Sequence, residues 1–194
     1  MANGVEGNSS DNALMRSVIQ GDLDKLGLLF GRYHRALFAY FYRFSFDAGL
    51  SEDFVQNVFY RILKYRKNYR LDGRFSTWLF QLARNVRYDH YRKSRGVRFT
   101  NDDVQNLEIP ADENPVRTLE NQERAAVLRK ALDALSPEQR EVIVLSRYHG
   151  LKYREIAAIL KCTENTVKAR TFRAVEKLRR IYGAREMSDE QKEI

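Results

Sequence analysis

The chain has 194 residues, 43% of them hydrophobic and 12% aromatic, enough to build one domain or two small ones with real cores. A formal net charge of +8 points to a polyanionic partner. The longest apolar run, Ala36 to Tyr42, is too short to cross a bilayer, one cysteine (Cys162) excludes an internal disulfide, and three scattered histidines give no metal-ligand spacing.

The opening MANGVEGNSSDN lacks the charged and apolar regions of a signal peptide, so a cytoplasmic protein is expected. From Asp11 to about Arg95 the chain is rich in Phe and Tyr, free of proline and periodic in the helical sense, and three or four helices fit. The first uses Leu14, Val18 and Ile19 and turns near Gly21. A longer one follows with Leu26, Leu29, Phe30, Tyr33, Leu37, Tyr40 and Phe41, most of that stripe being core. Ser51 is the expected N-cap of a helix from Glu52 to about Lys67, apolar along Phe54, Val55, Val58, Phe59, Ile62 and Leu63. Asp53, Gln56, Asn57 and Arg61 point away from that stripe. After a loop from Asn68 to Phe75, Ser76 is the expected cap of TWLFQLARNVRYDHYRKSR, apolar at its start and basic at its end.

Between Arg61 and Arg98 twelve Lys or Arg stand against Asp72 and Asp89, with Tyr65, Tyr69, Phe75, Trp78, Phe80, Tyr88 and Tyr91 among them. Interleaved cations and rings suit unpaired bases, through backbone neutralisation and stacking. Trp78 is better placed as core than as a stacking residue, and Tyr88, Tyr91 and the loop are the stronger candidates for bases. From Phe99 to Val116 the character reverses: Asp102, Asp103, Glu108, Asp112 and Glu113 meet no Lys or Arg, and Pro110 and Pro115 interrupt the segment. A flexible acidic linker is expected.

A second helical domain starts near Arg117. Leu128, Ala131, Leu132 and Leu135 line a helix, Ser136-Pro137-Glu138-Gln139 supplies an N-cap, an N1 proline and a capping-box Gln, and Gly150 closes the next helix. Tyr153 to Leu160 is helical, with Ile156, Ala157, Ile159 and Leu160 on one face. Lys161 and Cys162 turn the chain, Thr163 caps, and Val167, Thr171, Ala174, Val175 and Leu178 face inward along the following helix. Its opposite face carries Asn165, Lys168, Ala169, Phe172 and Arg173, suited to phosphates, base edges and a thymine methyl in a major groove. From Leu151 to Arg185 ten Lys or Arg stand against three Glu, which favours DNA over a merely solvated face. Cys162 is a packed turn residue rather than a redox centre. The tail MSDEQKEI is expected to fray.

In order and spacing these segments resemble a group IV, extracytoplasmic-function (ECF) sigma factor of the sigma-70 family of bacterial RNA polymerase. GDLDKLGLLFGRYHRALFAYFYR resembles the start of sigma domain 2, SEDFVQNVFYRILK its core-polymerase-binding helix, and GRFSTWLFQLARNVRYDHYRKSR its melting and minus-10-reading segment. LDALSPEQREVIVLSRYHGLKYREIAAILKCTENTVKARTFRAVEKLRR resembles sigma domain 4. The resemblance implies an all-α fold: domain 2 over residues 11–98, an acidic linker over 99–116, and domain 4 with its helix-turn-helix over 117–183.

The same resemblance implies roles. Asp53, Gln56, Asn57 and Arg61 would contact the coiled coil of the largest catalytic subunit, with Asn57 where the family more often has Glu. Leu71, Asp72, Gly73, Arg74, Phe75 and Ser76, with Asn85 behind them, would form a pocket for a base flipped from the minus-10 non-template strand. Arg84, Arg87, Arg92 and Lys93 would follow the backbone, beside Tyr88. Thr163, Glu164, Asn165, Thr166, Lys168, Arg170, Phe172 and Arg173 would meet the minus-35 duplex. The family usually has Leu at Thr171, Ser at Ala169, and Ser or Thr at Lys152. The linker would thread near the template strand, its carboxylates imitating nucleic acid. Expected partners are core RNA polymerase (coiled coil and flap), promoter DNA and an anti-sigma factor, with no membrane insertion, cofactor, metal or catalytic residue of the chain's own. A DNA-processing enzyme would need clustered carboxylates that the sparse acids of the basic segments do not supply. A regulator that binds duplex DNA without acting as a sigma subunit is the alternative.

Overall fold

The computed structural model describes residues 10–94 and 126–190, all helix and short connections, with no strand among them. The chain divides into two compact units between Gln105 and Asn106. The acidic segment Phe99 to Val116 lies outside the described residues.

In the first unit α1 (Asp11–Gln20) begins where the Ser10 hydroxyl accepts from the Ala13 N–H at 3.2 Å. It ends at Gly21, whose φ of 109° is open to a residue without a Cβ. Helix α2 (Asp24–Ser45) carries Leu29, Leu37, Tyr40 and Phe41 into the core, where they meet Met15 and Val18 of α1, Val55, Val58 and Ile62 of α3 (Ala48–Tyr65), and Leu79 and Ala83 of α4 (Phe75–Ser94). Rings bind the layers, Phe41 to Phe54 at 5.0 Å and Tyr40 to Phe80 at 5.6 Å between centroids. Each large apolar side chain so buried contributes roughly 1.5–3 kcal/mol. Phe30 departs from its expected core place: it is exposed at the edge of the α2–α3 contact, against Phe59 and His34.

Two caps differ from expectation. Helix α3 starts one turn before Glu52, because the Asp47 carboxylate accepts from the Leu50 N–H at 2.9 Å and so satisfies an orphan donor. Ser51 is therefore interior and buried, its hydroxyl donating back to the Asp47 carbonyl. Helix α4 starts at Phe75, with the Arg74 carbonyl accepting from Thr77 and Trp78, so Ser76 lies inside the first turn rather than capping it. A single 3₁₀ turn, Arg66–Asn68, precedes the loop.

The second unit begins with α5, described over residues 126–133, then α6 (Pro137–Ile143), which runs on as a π turn, Val144–Tyr148. Both capping-box bonds form: Gln139 N–H to Ser136 Oγ at 3.3 Å, and Ser136 N–H to Gln139 Oε1 at 3.0 Å. Gly150, at φ 62°, reverses the chain into α7 (Tyr153–Leu160). At its start the Glu155 carboxylate accepts from the Lys152 N–H at 2.8 Å, the half of a capping box that needs no hydroxyl at position 152. Helix α8 (Glu164–Glu190) packs against α6 and α7 and buries Val167, Thr171 and Ala174. Thr171 is accommodated because its hydroxyl donates to the Val167 carbonyl at 2.9 Å. Val175 and Leu178 are half-buried, lining a groove with Ile143, Arg147 and Tyr148. The backbone is helical to Glu190, and the end of the tail, residues 191–194, lies outside the described residues.

Candidate nucleic-acid interface

In the second unit the chain turns at Lys161, held in the left-handed conformation at φ 53° between α7 and α8. Thr163 caps α8: its Oγ1 accepts from the Thr166 N–H at 3.2 Å, and the two hydroxyls lie 2.9 Å apart. Asn165, Lys168, Phe172 and Arg173 share the solvent side, with Phe172 69% exposed. The ring stands on the same side as these polar and basic side chains, which its expected place opposite the buried stripe of Val167, Thr171 and Ala174 requires. Lys168 is paired with Glu164 at 3.5 Å on the surface, a contact worth little by itself. Arg170 stands apart from this face. It is half-buried and close enough to Glu138 to help hold that carboxyl below its usual range, after Glu138's own backbone N–H and the Ser136 hydroxyl.

In the first unit α4 splits the predicted minus-10 set. Asn85, Tyr88, Tyr91, Arg92 and Lys93 are exposed, and the Arg84 guanidinium lies 4.5 Å from the Tyr88 ring centroid. Two members are not on the surface. Phe75 is core, against Tyr33 and Tyr69. Arg87 is 5% exposed, its guanidinium 3.5 Å from the centroid of Phe44, so it anchors α4 to α2 rather than following a backbone. The helical period puts it inward with Ala83 and Val86, while its charge had suggested solvent.

Leu71, Asp72, Gly73 and Arg74 are exposed, and Ser76 is half-buried at the foot of α4. The loop is shaped from outside. Asn12 of α1 donates its side-chain amide to the carbonyls of Gly73 (2.8 Å) and Leu71 (3.3 Å), and the Tyr69 hydroxyl donates to Asn12 Oδ1 at 2.6 Å. Asp11 beside it takes Arg32 at 2.7 Å and the Tyr33 hydroxyl at 2.5 Å. Burial, then the nearby Asp11 and Asp72 carboxylates, pushes Tyr69 up to about 12, so it keeps its proton and donates. Tyr33 is raised further, again by burial first and Asp11 next. Asn12 and Asp11 escaped the sequence analysis, since no local pattern joins them to a loop about sixty residues on.

On α3, Asp53, Gln56 and Asn57 are exposed together, with Tyr60 continuing the face at 62% exposure and Lys64 beyond it. Tyr60 was legible as the residue three and four positions after Asn57 and Gln56. Arg61 turns sideways, donating Nε to Asn57 Oδ1 at 2.9 Å and pairing with Asp89 of α4 at 2.8 Å. Among the described residues no cluster of three or more His, Cys, Asp or Glu could hold a metal, and no helix is long and apolar enough to cross a membrane.

Two folded basic units in this order have counterparts among known proteins. Residues 29–97 match the family Sigma-70 region 2, and residues 118–178 match Sigma-70, region 4. The chain is 30% identical over 175 residues to the RNA polymerase sigma-H factor of Pseudomonas aeruginosa, covering 86% of this chain and 90% of that one. It is 30% identical over 176 residues to the ECF RNA polymerase sigma-E factor of Escherichia coli K12, covering 86% and 91%. Among solved structures it is similar to CnrH, in complex with the cytosolic domain of CnrY (TM-score 0.72, 25% identity, 91% of this chain and 99% of that one). It is also similar to the sigma factor RpoE of Bartonella quintana, crystallised with the anti-sigma factor NepR (TM-score 0.65, 28% identity, 81% and 96%). With both regions matched in sequence and relatives aligned over nearly their whole length, this chain belongs to the extracytoplasmic-function group of the sigma-70 family.

Proposed function

We propose that this chain docks on core RNA polymerase, reads duplex DNA at the minus-35 element with α8, and captures unstacked minus-10 bases with the loop before α4 and the exposed half of that helix. The observation that carries the reading is the coexistence in one chain of two basic surfaces of different kinds. One is a helix-turn-helix face with Asn165, Lys168, Phe172 and Arg173 exposed, suited to a major groove. The other pairs exposed rings, Tyr88 and Tyr91, with Arg84, Arg92 and Lys93, suited to single strands.

Binding energy does the work of strand separation. Each stacked or pocketed base supplies about 1–3 kcal/mol, against roughly 1.4 kcal/mol for a lost base-pair step, so a few captured bases hold a bubble open without ATP. Bond formation belongs to the polymerase, and this chain contributes no catalytic group. The exposed α3 face of Asp53, Gln56, Asn57 and Tyr60 is assigned to the coiled coil of the largest subunit, and the second unit to the flap. Control by an anti-sigma factor in the cytoplasm fits the complex of the related RpoE with NepR.

A helix-turn-helix regulator that binds duplex alone is the competing reading. Permanganate probing of promoter DNA separates them: core polymerase plus this chain, with no other sigma factor, makes minus-10 thymines reactive. Protection of duplex without any reactive thymine would favour the regulator.

A further inference from the structure

The turn from Arg70 to Gly73 is closed by a weak backbone bond, Gly73 N–H to Arg70 carbonyl at 3.4 Å, and by an exposed ion pair between Arg70 and Asp72 at 3.1 Å. Neither is enough to fix its shape. The fixing comes from Asn12, which uses its whole side-chain amide on this one task. Both N–H donors go to carbonyls of the turn, at Gly73 and Leu71, and the oxygen receives the Tyr69 hydroxyl. Tyr69 is itself buried at the base of the loop against Phe75 and Trp78. Asn12 cannot drift, because the Ser10 cap holds the first turn of α1 and Asp11 is locked onto Arg32 and Tyr33 of α2.

With its carbonyls engaged from behind, the turn leaves the side chains of Leu71, Asp72 and Arg74 to solvent. A loop ordered only when a base arrives would set its lost conformational freedom against the gain from capture, whereas a loop held in advance does not. We propose that Asn12 is a positioning residue that pre-forms the turn Arg70–Gly73 and thereby sets base preference at one position of the minus-10 strand. This rests on the function proposed above, in which that turn meets a flipped base.

The test uses the full chain assembled with core polymerase, and fluorescent single-stranded oligonucleotides covering the minus-10 element, each position varied through all four bases. In Asn12→Ala the preference at one position falls about tenfold, the scale of one or two net hydrogen bonds, while preference at the other positions and affinity for core are unchanged. Asn12→Asp, similar in shape but facing the two carbonyls with a carboxylate, falls at least as far. Tyr69→Phe shows a smaller loss at the same position, and decides the matter alone if the Asn12 variants do not fold. Full preference retained in Asn12→Ala, or an equal loss at every position, would overturn the proposal. Absence of any base preference in the wild-type holoenzyme would instead sink the reading of the loop as a base pocket, a distinguishable result.

Discussion

The guanidinium of Arg87 lies 3.5 Å from the ring centroid of Phe44, so a cation in the middle of the most basic stretch of the chain is a packing element between α4 and α2. Tyr40 and Tyr88 flank the same group at 5.7 and 5.1 Å. Planarity is what the site uses, and a lysine there cannot stack in the same way.

Arg87→Lys should therefore lower stability by about 1–2 kcal/mol, and Arg87→Ala by about 2–3 kcal/mol, read from urea melts followed by Trp78. Neither should change the salt dependence of single-strand binding by the holoenzyme beyond that loss. Arg92→Ala and Lys93→Ala should do the reverse, leaving the melt in place and lowering the salt slope by about 0.7 each. A reduced slope in Arg87→Lys would contradict the burial argument.

On α8, Phe172→Ala should leave thermal stability within about 0.5 kcal/mol, because the ring is already in solvent. Asn165→Ala should relax discrimination at one minus-35 base pair by about 1–3 kcal/mol, while Arg173→Ala weakens all sequences alike. Binding assays of the holoenzyme on systematically varied minus-35 duplexes separate the two patterns. Arg170→Ala, which removes a half-buried side chain away from the side of α8 that carries Asn165, Lys168, Phe172 and Arg173, should leave minus-35 sequence preference unchanged.

Tyr60 should be an anchor for core polymerase, as exposed tyrosines in interfaces often are. Tyr60→Ala is expected to weaken core binding more than tenfold with the fold intact, measured by fluorescence anisotropy of labelled chain. Tyr65→Ala serves as the control, since it is also exposed but stands five residues further on, about 140° around the helix from Tyr60.

The Tyr69 phenol makes a pH prediction with a definite sign. Its folded value of about 12 lies above the ordinary 10, so the neutral form is favoured in the fold. That contribution is complete below pH 10 and is lost as pH rises through about 12. Tyr33 acts in the same direction. Trp78, the chain's one tryptophan and 4.8 Å from the Tyr69 ring centroid, reports the change. Tyr69→Phe should lose stability less steeply than wild type over that window, and equal slopes would refute the assignment.

Much of this architecture is written locally. Ser136-Pro137-Glu138-Gln139 announces a capping box within four residues, and the structure has both of its bonds. The helix-turn-helix was legible for the same reason, its apolar period and Thr163 cap being short-range signals. Competing local signals misled at α3, where Ser51 before Glu52 resembles a cap although Asp47, four residues earlier, takes the role. Long-range features left no trace in pattern. Arg87 reads as a phosphate contact until Phe44 is brought over it, and Asn12 reads as an unremarkable helix residue until the turn about sixty positions away folds against it.

Run-off transcription with purified core polymerase over a promoter library tests the central claim most directly. Full-length chain is expected to yield core-dependent transcripts from a subset of templates sharing minus-35 and minus-10 elements, with residues 1–105 or 106–194 alone yielding none. Folded full-length chain that gives no core-dependent transcript from any template would contradict the account.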